Sequence, residues 1–165
     1  MSQKSFTVAE ADALIPSLVV VFQQIGAHKR AIRELAGKLE VLELLWGSAL
    51  REPEHPDHAE FMSHREGIDR ALRGIQTAVE RGILDHGMRF PAGGVEDGLV
   101  DFPTTYEGRW VLLCWKLGER RIAYWHELDG GFRGRHKITE AQRRLMGTED
   151  PDSIDEPDTE FDPDE

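Results

Sequence analysis

This chain of 165 residues has a single cysteine, Cys114, and therefore no internal disulfide. Its longest apolar run near the N-terminus, residues 18–22, is far short of the roughly 20 residues that span a bilayer, and no charged segment followed by an apolar core opens the chain. These absences point to a cytoplasmic protein with no membrane role. A basic stripe is also missing. The net charge of -11 is concentrated in residues 148–165, which carry ten acids and no base and leave 21 acids against 20 bases in residues 1–147. A nearly neutral body gives counterion release little to act on, so nucleic acid is not an expected partner. The sequence holds no Walker loop, no dinucleotide-binding fingerprint and no nucleophile elbow. The reading therefore leans away from an enzyme.

What is present is enough for one domain. The full chain is 39% hydrophobic, enough for 1–147 to build a core, and this part reads as a single α+β domain. The segment 148–165 alternates Asp, Glu, Pro, Ser and Thr, too little apolar surface to offset the entropy of ordering it, and is expected to be a disordered acidic tail.

Near the start, Thr7 with Glu10 three residues on forms a capping box, and Phe6 is placed as a hydrophobic staple. A proline in a helix interior loses a backbone hydrogen bond, so a short helix is expected to about Leu14 with a second beginning at Pro16, or one helix with only a kink between the two pieces. Leu14, Leu18, Val21, Ile25, His28, Ile32, Leu35, Leu39, Leu42 and Trp46 then recur at steps of four and three, the period of a heptad seam. His28 is its one polar member and reads as a register-setting residue. After a polar loop at 47–56, Asp57 and Glu60 offer a second cap, and His58, Phe61, Arg65, Ile68, Leu72, Ile75 and Val79 repeat the spacing up to Gly82. The two segments predict a long antiparallel, coiled-coil-like helical hairpin over about 16–82, with His28 beside Ile75. His55, His58 and His64 cluster near its turn, but His58 and His64 fall on different faces of a helix.

A glycine-rich connector at 83–98 leads to residues 99–137, which hold three of the four tryptophans and the cysteine. Three apolar runs, separated by hairpin-length segments at 104–108 and 117–120, predict a small three-stranded antiparallel β-meander over about 99–127. The second run alternates Trp110, Leu112 and Cys114 against Val111, Leu113 and Trp115, so it is the expected central strand, apolar on both faces. The hairpin covers one face. The other calls for a second cover, which predicts a homodimer or another protein partner.

Several of these segments together resemble a known family. The stretch Phe6-Thr7-x-x-Glu10-Ala11-x-Ala13-Leu14-Ile15-Pro16, then Gly98-Leu99-Val100-Asp101-Phe102-Pro103, Cys114-Trp115-x-x-Gly118-Glu119, Trp125-His126-Glu127 and Gly131-Phe132-x-Gly134-Arg135 is similar to the bacterial domain of unknown function 2203. The resemblance runs from Phe6 to about Ile138. It implies a stand-alone bacterial cytoplasmic protein and carries over no activity and no catalytic residue.

The chemistry is therefore read from the residues. In 126–136, His126, Glu127, Arg133, Arg135 and His136 are the candidate ligand-binding residues, with glycines that let backbone amides approach an anion. Cys114, His126 and His136 are of types that zinc accepts, though their spacing matches no standard zinc signature and no cofactor is expected. The leading expectation is a non-catalytic self-association or protein-interaction module. The alternative is an enzyme acting on a small anionic molecule, or a metal-dependent one, with its site in this loop.

Overall fold

The computed structural model describes residues 3–154, and it is α+β with a four-stranded antiparallel sheet. Two compact units make it up, one of Val20–Gly82 and one of the segments before and after it.

Helix α1, Val8–Trp46, begins where the capping box places it. The Glu10 amide donates to Thr7 Oγ1 at 3.1 Å, the Thr7 amide donates to Glu10 Oε1 at 3.3 Å, and Phe6 is fully buried. Of the two outcomes expected at Pro16, the break does not occur: the helix runs through it, with Ile15 and Leu18 buried on either side, so packing outweighs one lost hydrogen bond. By length and composition alone the span Val8–Arg51 would suffice to cross a membrane. In the fold it buries Leu18, Val21, Phe22 and Ile25, and 39% of its most apolar stretch is buried.

In the Val20–Gly82 unit, α2, His58–Gly82, runs antiparallel to α1. A Cβ added to Gly67 would meet Leu35, one on Gly74 would overlap the His28 ring and one on Gly82 would overlap Val21, which fixes the register within one residue of that expected. The seam on α2 differs from the expected one. Ala71 is buried while Leu72 is 51% exposed, because the face of α2 turned to α1 is the one that carries Gly67, Ala71 and Gly74, with the Leu35 and His28 side chains lying over the two glycines. At the turn, the segment Gly47–Arg51 coils as a 3₁₀ helix that buries Leu50 against Leu42 and Phe61. The three histidines there are engaged locally. His58 Nδ1 donates to the Leu50 carbonyl at 2.7 Å, His55 Nδ1 accepts from the Asp57 amide at 3.1 Å, and His64 Nε2 lies 3.3 Å from Glu60.

In the other unit the sheet order is β1, Leu99–Tyr106, β2, Arg109–Lys116, β3, Tyr124–His126, and β4, His136–Lys137, each antiparallel to the next. The fourth strand corrects the expected three. It is two polar residues long, so it carries no alternation to read, and it pairs Trp125 with His136. Glu107 and Gly108, both at positive φ, make the two-residue turn between β1 and β2 that suits the twist of a hairpin. The outer edge of β1 is closed by the Arg89 amide donating to Asp101, Phe6 to Pro103 and Gly147 to Thr105. Residues 110–115 of β2 are all buried, so both its faces are covered within this chain, and the uncovered face from which a dimer was expected is not there. Residues 148–154 of the expected tail lie against the β1–β2 turn, where the Gly108 amide donates to the Glu149 carboxylate at 3.1 and 3.2 Å. The rest of that segment, 155–165, lies outside the described residues.

Candidate functional site

The pleat and the register bring one acid, one thiol and one imidazole together. Asp101 on β1 pairs with Cys114 on β2, and Cys114 with Tyr124 on β3. His126 follows Tyr124 by two residues and so shares its face. Asp101, Cys114 and His126 are 3%, 1% and 1% exposed, and their ligating atoms all lie within 4.8 Å of one another. Among the described residues this is the one such grouping of His, Cys, Asp and Glu.

Their hydrogen bonds decide where the protons sit. His126 Nδ1 lies 2.6 Å from the Glu127 carbonyl, which only accepts, so Nδ1 carries a hydrogen and donates it. Nε2 lies 3.2 Å from Asp101 Oδ1. Burial works against charge on His126, but the bonds to Asp101 and to the Glu127 carbonyl outweigh it, and its pKa is raised. Burial and the Asp101 carboxylate push the Cys114 thiol up to about 12. A thiol that keeps its proton at neutral pH is a poor nucleophile, so the trio is not set up for cysteine catalysis.

Arg135 reaches the same face. Its guanidinium stacks 4.0 Å from the Tyr124 ring and 4.2 Å from that of Phe132, while Nη1 donates to Glu119 Oε1 at 2.9 Å. Glu119 is itself fixed, since its Oε1 accepts from the Lys116 amide at 2.6 Å and its carbonyl accepts from Trp115 Nε1 at 2.9 Å. An arginine so engaged is not presented to an anion.

A family model described as an uncharacterized conserved protein, DUF2203, matches residues 4–138. The chain belongs to this family. No curated protein and no solved structure matches it. Four of the five segments through which the sequence resembled DUF2203 meet around the buried trio: Asp101, Cys114, Glu119, His126, Phe132 and Arg135 stand in it or are linked to it through Arg135.

The five candidates from the 126–136 loop of this DUF2203 chain do not form one site. His126 and Arg135 lie on the buried face with Cys114. Glu127 and His136 lie across the sheet, where Arg109 donates to both Glu127 oxygens at 2.6 and 3.2 Å and His136 packs 5.0 Å from Trp125. Arg109 lowers the pKa of Glu127 and has its own raised in return. Arg133 is exposed in a single 3₁₀ turn, Phe132–Gly134. The reason is alternation: neighbours in a strand point to opposite faces, which separates His126 from Glu127 and carries His136 with Trp125. A hollow of about 420 Å³ lined in part by Trp110, Glu127 and Asp129 includes neither His126 nor Arg135. Asp101, Glu119 and Tyr124 were not foreseen. The available signal for Asp101 was a lone acid inside the apolar run 99–103.

Proposed function

We propose that this protein is a non-catalytic self-association module whose contact is made by a second copy of the chain on the outer face of α1. One observation carries the reading: Val41, Leu44 and Leu45, at the spacing of one helical face, are 57%, 80% and 64% exposed, while Leu42 on the opposite face is buried. Gly37, one turn before Val41 on the same face, has no atom within 4 Å of where a Cβ would stand. Two copies of α1 crossing antiparallel about a two-fold axis near Val41 seat Leu45 of each in the notch at Gly37 of the other, a self-complementary contact. The charged neighbours on that face, Glu34 and Lys38, pair within the chain at 3.4 Å, so like charges do not oppose the approach.

Sedimentation at micromolar concentration tests this. The full chain is expected as a dimer, and Leu44→Glu with Leu45→Glu as a monomer of unchanged helix content. A monomeric parent chain overturns the reading, and a dimer that survives both substitutions removes it from this face.

A further inference from the structure

We propose that Asp101, Cys114 and His126 form a binding site for one zinc ion. This rests on the sheet's own geometry and is independent of how copies of the chain associate. Carboxylate, thiolate and imidazole from three adjacent strands are a set that zinc accepts, with bonds of about 2.0 to 2.3 Å. Around a tetrahedral ion such donors stand about 3.3 to 3.8 Å apart. Asp101 Oδ1 and His126 Nε2 are already at 3.2 Å, and all three donors lie within 4.8 Å. Closing the remainder takes roughly an ångström of movement by the thiol.

The second observation is the outer partner of the histidine. Metal-binding histidines almost always donate their other ring N–H to a carbonyl or carboxylate, which fixes the tautomer and aims the free lone pair at the ion. His126 does so, donating from Nδ1 to the Glu127 carbonyl at 2.6 Å. With Nδ1 thus committed, Nε2 and the Asp101 carboxylate are two acceptors facing each other at hydrogen-bond distance. Something positive must stand between them. In the absence of metal it is a proton; zinc is the other cation that fits, and the thiol beside the pair gives it a third donor.

Bound to zinc, one carboxylate and one thiolate offset the dication, with the imidazole neutral and any protons on the three donors released. Arg135 beside them is paired with Glu119 at 2.9 Å. Three protein donors fill three of the four positions of a tetrahedral ion.

The single cysteine makes the test self-assigning. Metal-free full-length protein is titrated with cobalt(II), read by absorption, and with zinc in competition with a chromophoric chelator. One equivalent is expected to bind, with a thiolate-to-cobalt charge-transfer band that only Cys114 can supply. Cys114→Ser is expected to abolish the band and weaken zinc binding by more than about tenfold, and Asp101→Asn to weaken it with the band retained. Zinc should raise the thermal midpoint of the parent chain, and excess chelator should reverse the rise, a readout that holds even if a variant fails to fold. Cobalt bound without a charge-transfer band overturns the proposal. So does a parent chain that binds no zinc, or one whose binding is lost on replacing His58 and His64.

Discussion

His126 is held by opposing effects, burial against its charge and hydrogen bonding for it, and the second prevails. The folded-state pKa therefore lies above the ordinary 6.5, and the folded chain holds this proton more tightly than the unfolded one. The resulting stabilisation is complete below about pH 6.5 and is lost as pH rises through the raised value. For metal-free protein, the difference in urea midpoint between the parent and His126→Gln is expected to narrow from pH 6 to pH 8. A difference that is flat or widens would show that the imidazole is neutral in the fold. Arg135 makes a separate test of what the cluster does for stability. Arg135→Ala empties the slot between Tyr124 and Phe132 and leaves Glu119, at 23% side-chain exposure, with the Lys116 amide but without its charged partner. A loss of about 1 to 3 kcal/mol is expected in denaturant unfolding. Arg135→Lys should recover less than half, because an ammonium cannot stack as a planar guanidinium does. Full recovery by lysine would mean that charge alone holds the contact.

Among the elements, α1 was the most legible in the sequence and β4 the least. A capping box and an unbroken apolar period specify a helix locally, and the antiparallel register followed from matching layers across the turn. What the period could not convey is that α1 side chains settle over glycines of α2, which turns the Gly67, Ala71 and Gly74 face inward and leaves Leu72 outside. Gly74 is the sharpest case, since a Cβ there would overlap the His28 ring. His28 reads in sequence as a polar exception in the seam; in the structure it is the side chain that lies over a glycine. Gly74→Ala in the parent is expected to destabilise, because displacing a packed ring costs about 1 to 3 kcal/mol, more than the about 1 kcal/mol that alanine contributes to a helix. In a His28→Ala background the overlap is gone and the same change should stabilise. Thermal midpoints of the four chains give the sign in each background, and the same sign in both would deny the contact. The site was legible only in part. His126, Cys114 and Arg135 could be named from residue type, but a burial partner such as Asp101 lies 25 positions from His126 and is joined to it only by strand register.

At the scale of the whole chain, the boundary at Gly82 was legible where the apolar period ends and the glycine-rich connector begins, but the one at Val20 had no local signal, because α1 is continuous through it with no glycine, proline or change of charge between Val19 and Val20. Composition spoke more clearly about the acidic end, and there it favoured a segment that contributes nothing to stability. Residues 148–154 make that expectation measurable. Glu149 accepts from the Gly108 amide with both carboxylate oxygens, at a turn whose positive φ values leave that amide pointing away from the ladder, and its own carbonyl lies 3.5 Å from Thr105 Oγ1. These bonds are exposed or half-buried, so together they are worth about 1 kcal/mol rather than several. In a chain of this size 1 kcal/mol moves the thermal midpoint by about 2 to 4 °C. Truncation after Gly147 is therefore expected to lower the midpoint by that amount, and Glu149→Ala in the full chain to reproduce most of the drop. An unchanged midpoint in both would return the segment to the solvated tail its composition suggests. A fall above about 10 °C would instead require contacts larger than those of Glu149 to hold the acidic end in place.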